Sequence, residues 1–199
     1  MLGSILASVA AGTPPPADGS VTVVAPPDSA SVGVFAFTAH HVVAADVDPS
    51  WVSSVLPPGD LGAPMKSSFL SALGARMDRV AESLDVVLVG IGTGVPTGGL
   101  TPFTGSHSRA MVHHRVGVRM WTVEGGFLLL GRGVAGRHEV AVEVGTPGHG
   151  LGRGLFAAAL GEVPVGTSVW AQVAPGNAAS LRALLAAGYR PVGAEVLLV

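Results

Sequence analysis

The sequence predicts an α/β fold. Three observations predict it. Short runs of β-branched and alternating apolar residues recur along the chain, separated by stretches with apolar residues at helical spacing. A strand, a glycine-rich turn and an apolar helix follow one another directly over residues 138–160. The chain of 199 residues, 48% of them apolar and 12% charged, is long enough to bury a core for one domain or one and a half.

The elements can be taken in order. MLGSILASVAAG reads as a short helix or a frayed end, and with TPPPADGS it forms a flexible segment, residues 1–19, in which Pro14, Pro15 and Pro16 stop any helix. VTVVA at 21–25 reads as a strand. Residues 32–45 read as a long strand or a strand-turn-strand. Asp48-Pro49 starts a short helix, with Asp48 as cap and Pro49 in the first turn. Phe69, Leu70, Leu73, Met77, Val80 and Leu84 lie on one stripe and predict a helix over 65–84, followed by a buried strand at 85–93. Residues 94–108 read as a long loop, a boundary or lid. Beyond it come a strand at 116–124, a turn at Gly125-Gly126, strands at 127–135 and 138–144, the glycine loop and helix at 145–160, a strand at 167–175, a helix at 177–187 capped by Gly188, and a last strand. The expected organisation is an N-terminal α/β region at 20–110 and a second region at 111–199.

Composition narrows the function. The net charge is −2, and the 11 cationic residues, with Lys66 the only lysine, form no stripe that could track phosphates, so no nucleic-acid partner is expected. Cysteine is absent, which excludes disulfides, thiolate metal sites and a cysteine nucleophile. Mean hydropathy is +0.55, but Gly, Pro or charge interrupts every apolar run well before the roughly 20 residues that span a bilayer, so no membrane partner is expected. The N-terminal apolar stretch lacks the basic region of a signal peptide, and the expected location is cytoplasmic.

The loop GTPGHGLGRG carries the chemistry. Glycines at a helix N-terminus expose backbone N–H groups and the positive end of the helix dipole, where phosphate groups bind. It lacks the Gly-Lys-Ser/Thr of a P-loop. Gly148, Gly150 and Gly152 do not have the spacing of a dinucleotide fingerprint, and the following strand VWAQV lacks its acidic residue. The run Pro147-Gly148-His149-Gly150-Leu151-Gly152, followed by Arg153-Gly154-Leu155-Phe156, resembles the acetyl-CoA pyrophosphate loop of the GNAT superfamily of N-acetyltransferases. Downstream, Asn177, Ser180, Arg182, Gly188 and Tyr189 stand at that family's spacing. The resemblance covers residues 116–199; residues 1–110 match no family by inspection and read as an α/β extension. It departs from the family pattern in three places. Pro147 replaces the usual Arg or Gln, the loop is shortened, and Leu184 stands where many members have a Tyr acid. A second register, His149-x-x-Gly152-x-Gly154, restores the length but fits the helix less well.

The resemblance implies a GNAT-like mixed, largely antiparallel sheet flanked by helices, splayed at the third strand of the second region, and transfer of an acetyl group from acetyl-CoA to a primary amine, small molecule or peptide, by direct attack. It implies that the backbone of Gly148, His149, Gly150, Leu151 and Gly152, with Arg153, holds pyrophosphate, that Val142 and Val144 pair with pantetheine, and that Asn177 and Ser180 line the CoA arm. The base is implied on the strand at 138–144: His138 by count, or Glu139 one step away, with Ser180 or water as proton donor. A residue period of two places His138 on one face and Glu139 and Glu143 on the other. The departures also fit an alternative, a non-catalytic CoA-sensing or partner-binding member.

The remaining polar and aromatic residues have simpler readings. Trp51, Trp121 and Trp170 read as core aromatics and Tyr189 as helix-end packing. His40-His41 and His113-His114 point to opposite faces of a strand and give one ligand per pair, so no metal is expected. The last strand, AEVLLV, can pair within the sheet or across a homodimer.

Overall fold

The computed structural model describes residues 1–108 and 115–199, so His113 and His114 lie outside the described residues. The fold is mixed α/β, with mostly antiparallel strands and helices beside them. Two compact units make up the chain: Met1–Val86 with Val192–Val199, and Val87–Pro191. Sequence composition places a boundary near 110, whereas compactness divides the chain at 86 and returns the last eight residues to the first unit.

In the first unit the strands β1 (Val21–Val24), β2 (Gly33–Phe37), β3 (His40–Ala44) and β10 (Arg190–Leu197) lie in the order β1-β3-β2-β10. β1 runs parallel to β3; β2 is antiparallel to both β3 and β10. The stretch 32–45 is therefore a strand-turn-strand, with Ala39 at φ +49° in the turn. The last strand pairs within the chain, Glu195 opposite Phe35. Helix α1 (Leu2–Ala10) buries Leu2, Leu6 and Val9, so the first ten residues belong to the packed structure rather than to a flexible segment. In α2 (Pro49–Val55) the Asp48 carboxylate accepts the Ser50 N–H at 2.7 Å, as the cap reading requires.

The predicted helix over 65–84 is shorter than its apolar stripe. α3 (Ser67–Met77) ends where Asp78 takes a left-handed conformation, φ +52°, and the Arg79 N–H bonds back to Gly74 O. Residues 80–82 then pair with the chain end: Val80 N–H donates to Val199 O and Glu82 N–H to Leu197 O. Helical spacing persists in the sequence, but a ladder to a segment more than a hundred residues away captures the backbone. Phe69 and Leu73 pack with Val34, Val43, Val52 and Leu198 in this unit's core.

In the second unit β4 (Asp85–Ile91), β5 (Thr101–Pro102), β6 (Val116–Val123), β7 (Gly126–Arg132), β8 (His138–Val144) and β9 (Ser168–Val173) lie in the order β4-β9-β8-β7-β6-β5. β5 corrects the reading of 94–108 as unbroken loop, because Thr101 and Pro102 pair with Thr122 and Trp121. β7 stops at Arg132, short of Ala135, which sits in a one-turn helix at φ +50°. α4 (Leu151–Gly161) buries Leu155, Phe156, Ala158 and Ala159; α5 (Ala178–Ala186) buries Leu184. Trp121 and Trp170 are buried as expected, and Trp51 is half-buried against Phe69. Among the described residues no helix is long and apolar enough to cross a membrane.

Leu73 is fully enclosed in the first unit's core, so Leu73→Ala is expected to destabilise the protein by about 2–5 kcal/mol, read from the midpoint of urea unfolding.

Candidate functional site

β8 and β9 run parallel but share only two registered pairs, His138↔Val169 and Glu139↔Trp170. Past Glu139, β8 keeps its register with β7 alone, through to Val144 opposite Gly126. The two strands therefore fork. Among the described residues no strand pairs with the open edge of β8 there, and backbone groups on such an edge take partners from elsewhere. The expected splay at this strand is present.

The open end of the fork leads to the glycine turn. Gly148 and Gly150 have φ of +98° and +80°, a conformation that favours glycine, and Gly150 is the N-cap of α4. Among the described residues no side chain caps this helix. The first α-helical bond, Gly154 N–H to Gly150 O, leaves the N–H groups of Leu151, Gly152 and Arg153 without intrahelical acceptors.

A cavity of about 490 Å³ joins these parts. Val142, Val144, Gly148, His149, Gly150, Leu151, Gly152, Arg153, Asn177 and Ser180, the ten residues expected at a CoA site, all line it. Thr146, Phe156, Arg182 and Glu143 complete much of the wall. His149, Arg153 and Arg182 are exposed. They bring cationic or proton-donating groups to the rim beside the positive end of α4, which suits an anion. Asn177 also has a local role: its side chain caps α5 by accepting the Ser180 N–H at 3.1 Å.

The two candidate bases stand at the closed end of the fork, on opposite faces, and neither lines the cavity. Glu139 is not a solvated strand-end residue. It is fully buried, and its oxygens accept from Arg115 Nε at 3.0 Å, Arg137 Nε at 2.8 Å and the Val134 N–H at 3.2 Å. A carboxylate held between two guanidiniums is a poor proton acceptor. His138 is half-buried. Burial, then the charges of Arg132 and Arg119, hold its pKa below the usual histidine value, so it is neutral at neutral pH. Its Nδ1 is buried without a partner among the described residues.

Leu184, in place of the Tyr acid, is fully buried and offers nothing to a leaving group. Tyr189 is the packing residue expected: buried, edge-on to Phe156, its OH donating to Phe156 O at 3.2 Å, its pKa pushed far up by burial. Sequence reasoning missed Arg115, Arg137 and Gln172. Arg115 Nη2 donates to Gln172 Oε1 at 3.3 Å, and the Arg137 guanidinium lies 4.9 Å from the centre of the Trp170 ring.

His40 and His41 do face opposite ways. Asp18, Ser20, Thr22 and Pro16 O surround the His40 ring, while His41 lines a separate cavity of about 230 Å³ with Val52, Leu56 and Pro64. Among the described residues no group of three or more His, Asp or Glu is placed to hold a metal ion.

No family model and no curated protein matches the sequence. A solved GCN5-related N-acetyltransferase from Kribbella flavida is similar to it at 16% identity and a TM-score of 0.37. The match covers 65% of this chain, and this chain spans 62% of that protein's length.

Gly150 in the turn and Gly154 in α4 should respond oppositely. Gly150→Ala forces a side chain into a left-handed conformation and is expected to cost about 1–2 kcal/mol. Gly154→Ala, inside the helix with open space around its Cβ, is expected to stabilise by about 0.5–1 kcal/mol. Thermal unfolding of both variants measures the contrast.

Proposed function

We propose that the second unit binds acetyl-CoA and transfers its acetyl group to a primary amine. The observation that carries this reading is the joining, in one cavity, of the open β8 edge, the glycine turn and the uncapped start of α4. Backbone N–H groups over residues 148–152 would bind the pyrophosphate, with Arg153 adding charge. Val142 and Val144 would offer backbone groups to the pantetheine arm, and Asn177 and Ser180 would line it. The arm would then run along β8 toward the closed end of the fork, roughly 17 Å from Val144 to Glu139 at strand spacing.

In the proposed reaction the amine nitrogen attacks the thioester carbonyl and the C–S bond breaks. The ammonium proton goes to a base, and the leaving thiolate takes a proton from Ser180 or water. His138 is better suited than Glu139 to be the base, because it is neutral and has an unengaged ring nitrogen among the described residues, whereas Glu139 is saturated by cations. The enzyme's larger contribution would be positioning and backbone stabilisation of the thioester oxygen.

One observation favours a second reading. The enclosed Leu184 removes the usual acid, which suits a module that binds CoA without turning it over.

Acetyl-CoA at about a hundred times its Kd should add roughly 2.7 kcal/mol and raise Tm by several degrees, while NAD should not; no shift at millimolar acetyl-CoA sinks both readings. Thiol release on adding amines separates them, since only the transferase releases CoA. With His138 as base, activity should fall on the acid side as the imidazole takes up a proton. Its lowered pKa places that limb below the pH of about 6.5 expected for an ordinary histidine. His138→Gln should remove the limb and cost about 10²–10⁴-fold in rate, measured as kcat/KM against pH.

A further inference from the structure

We infer that Glu139, clamped by Arg115 and Arg137, is a positioning residue that pins the point where β8 and β9 part. Glu139↔Trp170 is the last registered pair before the fork. The Glu139 carboxylate receives Arg115 on one oxygen and Arg137 on the other. Each arginine then reaches β9: Arg115 through Gln172, two residues beyond the last pair, and Arg137 by lying over Trp170, the residue paired with Glu139. Two side-chain bridges thus tie the strands where their backbone ladder ends.

The surroundings are shaped for this cluster. A Cβ at Gly133 would overlap the Glu139 carboxylate, so that glycine makes room for it. The Val134 N–H supplies a further donor. Gln172 turns its Oε1 to Arg115 and leaves its Nε2 buried without a partner among the described residues. The bridge is thus kept at the cost of an unsatisfied donor. A buried ion-pair cluster adds little net stability over an apolar core but strongly disfavours arrangements that break it, so it selects one geometry. Here the selected geometry is the place and width of the fork. The cavity takes part of its wall from Val142, Glu143 and Val144 of β8, beyond the last pair with β9, so the cluster fixes where that stretch of β8 leaves β9. This inference rests on the acetyl-CoA reading only for its affinity readout.

The test uses Arg115→Met and the milder Gln172→Leu in the full chain. Hydrogen exchange is read at the amides of residues 140–144 and 171–173, and acetyl-CoA binding by calorimetry. Loosening the pin should speed exchange at those amides by about tenfold or more and weaken acetyl-CoA by about tenfold, with the His138-dependent acid limb unmoved. Exchange within twofold of wild type in a folded variant overturns the inference. If Arg115→Met does not fold, Gln172→Leu, which leaves both guanidinium–carboxylate pairs intact, decides alone. Glu139→Gln separates positioning from base catalysis: a pin raises KM for acetyl-CoA and keeps the acid limb, whereas a base lowers kcat, leaves KM and loses the limb. If wild type binds no acetyl-CoA, the proposed function falls, and the exchange result still judges the pin.

Discussion

Two parallel strands that share a short register and then separate leave part of a hydrogen-bonding edge without a strand partner, and the second unit is organised around that separation. β8 remains fully paired with β7 while it departs from β9, so its open edge stays rigid. A rigid unpaired edge is a template for an extended ligand, as an exposed sheet edge is for a peptide. The glycine turn lies at the open end of this edge, and the start of α4 adds further backbone donors facing the same cavity. Under the proposed function, pairing, turn and helix dipole would suit a ligand extended along one stretch and anionic at its end.

The closed end of the fork follows different physics. There the backbone ladder ends inside the protein, and side chains take over. Glu139 is buried because its face of the strand is covered, and a buried carboxylate needs cationic partners. Arg115 and Arg137 provide them and reach β9 as well. The neighbouring residue on the other face, His138, meets burial and the charges of Arg132 and Arg119, and its proton affinity falls. A single step along a strand changes a residue from a structural ion-pair partner to a neutral imidazole with a free nitrogen among the described residues.

Several residues prominent in the sequence have structural roles that account for them. Asn177 caps α5 while lining the cavity, and Tyr189 anchors the end of that helix against Phe156. Leu184 faces the core because the apolar side of α5 packs inward. Asp48 is satisfied as a cap and His40 by a local polar cage, which leaves neither needing a ligand to explain it.

The features legible in the sequence are those written in local pattern. The glycine turn and its helix, the alternation of β8 and the Asp48 cap could all be read there, because turn geometry, strand period and capping depend on neighbours a few positions apart, whereas the ten residues expected at the cavity came from the family resemblance. The early end of α3, the short pairing of β5 and the return of residues 192–199 to the first unit were not legible, since each depends on a partner distant in sequence. The same holds for Glu139. Sequence places it on a strand face, but only tertiary packing decides whether that face meets water, substrate or arginine. By itself the sequence determined which backbone turns and edges form; the tertiary structure alone decided which charges meet, because burial and ion pairing are set by contacts across the fold and not by spacing along the chain.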